Sequence, residues 1–139
     1  MKKVELLSPA GSFDALRSAV QNGCDAVYLG GMMFGARAFA NNFDEEELKK
    51  AVAYAHIYGV RVFVTVNTLL YEEELETFKE YAIKLQEADV DALIVQDMGA
   101  FVLLKELLPD MELHASTQMH IHNHDGNLMM KEEGVVVVI

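Results

Sequence analysis

Apolar and polar positions along the chain switch repeatedly between two periods. Val4-Glu5-Leu6-Leu7 is a short strand-like run, and after Ser8-Pro9-Ala10-Gly11-Ser12 the apolar positions Phe13, Leu16, Ala19 and Val20 recur at helical spacing. Ser12 stands where an N-cap would accept from free amides of the first turn, and Gly23 where a helix ends in a left-handed residue. Asp25-Ala26-Val27-Tyr28-Leu29-Gly30-Gly31 returns to strand, which completes one strand–helix–strand unit.

The same grammar continues. The pattern predicts a helix near Glu45–Tyr58 stopped by Gly59, a strand over Arg61–Asn67, a helix near Glu72–Ala88 and a strand over Ala92–Gln96. A helix over Gly99–Leu107 stops before Pro109, a strand follows over Glu112–Thr117, and a helix near Asp125–Glu133 is stopped by Gly134. The last run, Val135–Ile139, is apolar and reads as a strand in which the chain stops. Strands each separated by one helix imply parallel pairing through right-handed crossovers.

Two architectures satisfy that rule, an open doubly wound sheet and a (β/α)8 barrel. Alternation places Ala26, Tyr28 and Gly30 on one face of the second strand, Phe63, Thr65 and Asn67 on the third, Ala92, Ile94 and Gln96 on the fourth, and His114, Ser116 and Gln118 on the fifth. Polarity in each set rises towards the C-terminal end, as at the mouth of a barrel. An open nucleotide-binding sheet would carry a glycine fingerprint after the first strand, and Ser8-Pro9-Ala10-Gly11-Ser12 is not one. The expected fold is α/β, a partial (β/α)8 TIM-type barrel of about six parallel strands, with residues 1–139 forming the truncated N-terminal part of a single barrel domain.

Composition narrows the class. With 52% hydrophobic residues and no low-complexity run, the chain is expected to fold rather than remain disordered. The net charge of −11 concentrates in Asp44-Glu45-Glu46-Glu47 and Glu72-Glu73-Glu74, at two predicted helix starts, where carboxylates favour the positive helix end. That balance disfavours indiscriminate binding to a phosphate backbone by this segment. Cys24 is the single cysteine, so neither an internal disulfide nor a paired-cysteine metal motif can form. No apolar stretch approaches the roughly 20 residues of a membrane span, and Met1-Lys2-Lys3 leads into no signal-peptide core, so the expected setting is the cytoplasm.

Four stretches carry a resemblance: Glu5 to Ser12, Gly23 to Gly31, Phe34 to Phe43, and His114-Ala115-Ser116-Thr117-Gln118-Met119 running to His122-Asn123. Together they resemble the N-terminal region of the collagenase-like peptidases, peptidase family U32, over essentially the whole chain. The resemblance implies a barrel-type catalytic domain and either a peptidase activity or, as in some relatives, hydroxylation of nucleic acid bases or ubiquinone precursors. In those hydroxylases a downstream cysteine set holds an iron-sulfur cluster. The resemblance therefore implies such a cluster only in a longer protein, and none in this stretch.

The candidate site follows from the predicted rim. His114 and Ser116 are the candidate catalytic pair, and Glu5, Tyr28, Arg37, Asn67, Gln96 and Gln118 the expected substrate contacts. Amides orient a substrate without taking a proton, whereas a histidine exchanges one near neutral pH. Taken singly, Asn67, Gln96, His114, Ser116 and Gln118 each read more simply as a hydrogen-bonded core group; their shared rim makes the set a polar pocket. Arg37, beside Asn41 and Asn42, can hold a carboxylate or phosphate, or else pair with a nearby acid. His120, His122 and His124 would line up on an extended chain but read more simply as an exposed helix start, so no metal site is assigned. Cys24 reads as a buried, inert thiol, and no activated serine elbow is visible.

Two classes of function remain. One is an enzyme, a peptidase or an iron-sulfur-dependent RNA hydroxylase acting on a peptide or RNA substrate, of which this stretch alone would be inactive. The other is a non-catalytic barrel module that binds an anionic ligand or nucleic acid. The apolar edge Val135–Ile139 carries neither charge nor proline and is expected to pair with another copy, giving a homo-oligomer.

Overall fold

The structure is a computed structural model that describes residues 4–37 and 42–139. Its strands are β1 (Leu7–Pro9), β2 (Ala26–Gly30), β3 (Arg61–Val66), β4 (Ala92–Val95), β5 (Glu112–Ala115) and β6 (Val137–Val138). The helices between them are α1 (Phe13–Gln21), α2 (Glu45–Ile57), α3 (Leu75–Glu87), α4 (Met98–Leu107) and α5 (His124–Glu132). All pairings are parallel and the sheet order is β1-β2-β3-β4-β5-β6. Neighbours in space are thus neighbours in sequence, which a doubly wound sheet forbids, and the fold is a six-stranded TIM-type half-barrel.

Local chemistry sets the helix ends. Ser12 Oγ accepts from Ala15 N at 3.1 Å, and Asp44 and Glu47 form a reciprocal capping box at the start of α2. Gly23, Gly59 and Gly134 follow α1, α2 and α5 with positive φ, a region that any side chain would strain. The two faces of the sheet divide as alternation requires. Val27, Val62, Val64, Leu93 and Leu113 pack against Leu16, Leu48, Phe78 and Leu104 of the helices. Ala26, Phe63, Ala92 and Ile94, with Leu7 and Tyr28, fill the barrel interior.

Most boundaries fall within a residue of the pattern-based expectation, and four elements differ by more. β1 covers Leu7–Pro9 rather than Val4–Leu7. Val4 is 87% exposed, and pairing runs on through Pro9 to Ala10, whose N–H donates to Tyr28 O. A proline fits there because β1 is an edge strand. The acidic run Glu72–Glu74 is a separate 3-10 turn ahead of α3, with Glu74 accepting from Tyr71 N. β5 ends at Ala115, because Ser116 caps a 3-10 turn over Thr117–Met119. β6 pairs only through Val137 and Val138. No helix among the described residues is long and apolar enough to cross a membrane.

Candidate functional site

A cavity of about 420 Å³ opens at the C-terminal ends of the strands. Leu7, Tyr28 and Ile94 of the interior cluster line it together with the turn Pro9-Ala10-Gly11, and its polar wall comprises Asn42, Thr65, Asn67, Ser116, Thr117 and Gln118. Arg37 is the one charged residue of that lining among the described residues; it is exposed and has no ion-pair partner among them.

Asn67 stands just past β3 and ties three segments together. Its Oδ1 accepts from Ala36 N at 3.1 Å, and its Nδ2 donates to Ser116 Oγ at 3.2 Å. Ser116 Oγ also accepts from Gln118 N at 3.3 Å. Both hydroxyl lone pairs are then occupied, which leaves its hydrogen to donate, and Ser116 is only 3% exposed. Gln118 Oε1 is buried with no hydrogen-bond partner among the described residues.

The segment from Met32 to Arg37 is strapped over β3. Phe34 adopts φ 59°, its carbonyl accepts from Thr68 Oγ1 at 3.2 Å, and its ring meets Phe78 edge-on at 5.2 Å. Behind it the Tyr81 hydroxyl fills the space a Cβ on Gly31 would occupy, 1.8 Å from that position. Burial pushes the pKa of the Tyr81 hydroxyl up to about 12, with the Met33 backbone opposing it weakly, and no hydrogen bond of good geometry reaches the oxygen among the described residues.

His114 faces inward like Ser116 but does not reach the cavity. Its ring is 1% exposed, packs edge-on against Phe63 at 4.6 Å, and its Nε2 donates to Glu112 Oε1 at 2.7 Å. Glu112 is held in turn by Arg61 at 2.5 Å, and Arg61 lies over the Phe63 ring. Glu5 approaches Arg61 at 3.7 Å, so it belongs to this ionic cluster at the N-terminal ends of the strands, away from the mouth. Of the residues singled out from the sequence, the structure therefore gathers Tyr28, Arg37, Asn67, Ser116 and Gln118 at one cavity. It puts His114 beneath it, Glu5 at the opposite end, and Gln96, half-buried, outside the lining. Asn41 lies outside the described residues. Glu112 and Arg61 were missed, although Glu112 shares the face of His114 by alternation, which was the available signal.

This arrangement can hold an anion at Arg37 and a neutral polar group against Ser116 and Gln118. It does not build a nucleophile: Ser116 Oγ meets only amide donors, and His114 is turned towards Glu112. Nor do these residues fit an iron-sulfur cluster. The single thiol, Cys24, is buried against the helix layer, where burial pushes its pKa up, and no group of three His, Cys, Asp or Glu side chains among the described residues could hold a metal. His122 Nδ1 is tied to its neighbour's carbonyl, His120 O, at 2.9 Å, and His124 opens α5 behind the Asn123 cap.

The model for peptidase family U32 matches residues 11–139. The chain is 42% identical over 137 residues to the 23S rRNA 5-hydroxycytidine C2501 synthase of Escherichia coli, covering 99% of this chain and 20% of that protein. It is 37% identical to tRNA hydroxylation protein P1 of Bacillus subtilis (99% and 33%) and 34% identical to a collagenase of Porphyromonas gingivalis (97% and 32%). The chain thus spans between a fifth and a third of the length of these relatives. Among solved structures, a U32 peptidase superposes with a TM-score of 0.79 at 14% identity, covering 98% of this chain and 57% of that one. Deoxyribose phosphate aldolase from Aeropyrum pernix gives 0.73 at 16% (98% and 64%).

Proposed function

We propose that this chain, which belongs to peptidase family U32, forms the nucleotide-holding part of the barrel of an RNA-hydroxylating enzyme. In this reading residues 1–139 are the N-terminal part of one barrel domain, the protein works on RNA in the cytoplasm, and an iron-sulfur cluster held by cysteines of a longer chain supplies the redox chemistry. The residues described above bind and orient the substrate. The observation that carries the reading is the cavity wall, in which, among the described residues, one guanidinium without an ion-pair partner stands beside neutral amides and a hydroxyl, with no activated nucleophile. Arg37 suits a phosphate, and the amides suit a base that must be positioned rather than attacked by the protein. The similarity to enzymes named for rRNA and tRNA hydroxylation supports it. The acidic runs do not oppose it, because they lie at the starts of α2 and α3 and not in the cavity lining.

The similarity to a collagenase favours a second reading, a peptidase. Two measurements separate them. Labelled single-stranded RNA titrated onto the purified protein should bind, and Arg37→Ala should weaken binding and lower the salt slope by about one phosphate contact. Absence of RNA binding, or gelatin cleavage that disappears in Ser116→Ala, would replace the hydroxylase reading with the peptidase one.

A further inference from the structure

We infer that Ser116 and Gln118 read the Watson–Crick edge of the bound base, with Ser116 Oγ–H donating to an acceptor on that edge and Gln118 Oε1 accepting the N–H beside it. This rests on the RNA reading above and goes further, because it names the residues that select the ligand. Hydrogen-bonding capacity in the wall is unevenly met. Asn67 is already engaged at both ends of its amide, by Ala36 and by Ser116, and Thr65 Oγ1 donates to Leu29 O at 3.4 Å, so each of these side chains is already tied to the protein.

Within this lining, the buried capacity left unmet lies in Ser116 and Gln118. Ser116 is only 3% exposed, accepts twice, and donates its own hydrogen to no acceptor among the described residues. Gln118 Oε1 is buried without any donor. A buried oxygen left in this way is unfavourable, and a ligand bringing an N–H relieves it. The two residues are held in register by the Gln118 N–H bond to Ser116 Oγ, so their free groups are presented together. The complement is a rigid ligand with a donor next to an acceptor. Uracil offers N3–H beside a carbonyl, and cytosine offers its amino group beside N3. Arg37, on the rim of the same cavity, is placed for the phosphate.

The test uses uridine and cytidine 5′-monophosphates, the 3-methyluridine and N4,N4-dimethylcytidine analogues in which the donor is gone, and ribose 5-phosphate, measured by calorimetry on the purified protein. Uridine and cytidine monophosphates should bind at least about ten-fold more tightly than ribose 5-phosphate, and methylation should remove most of that gain. Gln118→Leu should abolish discrimination between methylated and unmethylated forms. Gln118→Glu, which keeps an acceptor, should retain it, so that a loss through misfolding is recognised. Methylated analogues that bind the wild-type protein as well as their parents would overturn the inference while leaving the RNA reading standing. If neither the nucleotides nor ribose 5-phosphate bind, or a blocked dipeptide binds more tightly than both, the RNA reading itself fails and this inference falls with it.

Discussion

Replacing Gly31 by alanine tests the packing behind the mouth in a way that allows rescue. Gly31 does not have a positive φ, so alanine is conformationally acceptable and by itself would stabilise by about 0.4–1 kcal/mol through the unfolded chain. The obstacle is one atom: the new Cβ would lie 1.8 Å from the Tyr81 hydroxyl oxygen, while the next nearest atom, Tyr81 Cζ, is at 3.2 Å. Overpacking of this kind costs about 1–3 kcal/mol, so Gly31→Ala should be destabilised by a net of about 1–2 kcal/mol. Tyr81→Phe deletes the oxygen. Because that oxygen is buried and its contact with the Met33 backbone falls short of a well-formed hydrogen bond, the single change should be within about 1 kcal/mol of neutral. In the double variant the Cβ meets only the ring carbon, and stability should return to within about 0.5 kcal/mol of Tyr81→Phe, well outside the additivity expected of independent sites. Urea unfolding of the four proteins gives the cycle. Strictly additive changes would refute the steric reading, and a Tyr81→Phe protein weaker than wild type by more than about 1 kcal/mol would show that the hydroxyl is well bonded.

Alkaline titration probes the same residue. An unfolded tyrosine ionises near 10 and the folded Tyr81 only near 12, so its contribution is complete below pH 10 and is lost as pH rises to 12. Wild type should therefore lose about 2–3 kcal/mol more than Tyr81→Phe over that interval, and equal losses would contradict the assignment. At the other end of the strands, Glu112→Ala leaves Arg61 and the buried His114 without their shared acceptor and should cost about 1–3 kcal/mol, against less than about 0.5 for Glu5→Ala. Comparable thermal shifts for the two would show that the cluster is not centred on Glu112. The exposed edge of β6 is expected to pair between copies, so light scattering should find an oligomer that Val137→Lys dissociates; a wild-type monomer at micromolar concentration would end that expectation.

The sequence made the strand order and the inward faces legible because both follow from period alone. Ala26, Tyr28, Phe63, Ala92 and Ile94 fill the interior as alternation requires. Ends were less legible, since they depend on partners. Ser8-Pro9 has the composition of a turn, yet it is a strand because β2 supplies an acceptor for the amide of Ala10. Side-chain direction within a face was not legible at all. His114 and Ser116 share the inward side of the same segment, but an acid two residues earlier draws the imidazole down to the floor while Asn67 holds the hydroxyl at the rim. Glu5 shows the same limit, for its guanidinium partner is distant in sequence and invisible to any local pattern.

Because strands pair in the order in which they occur, each β-strand that leaves the ribosome finds its neighbour already made. The loop that must close is then only one helix and its two turns, which keeps closure entropy low and favours growth from the N-terminal end. A half-built sheet of this kind carries two unsatisfied edges, β1 and the newest strand, and the second moves with every strand added, so the surface exposed to mispairing changes throughout synthesis.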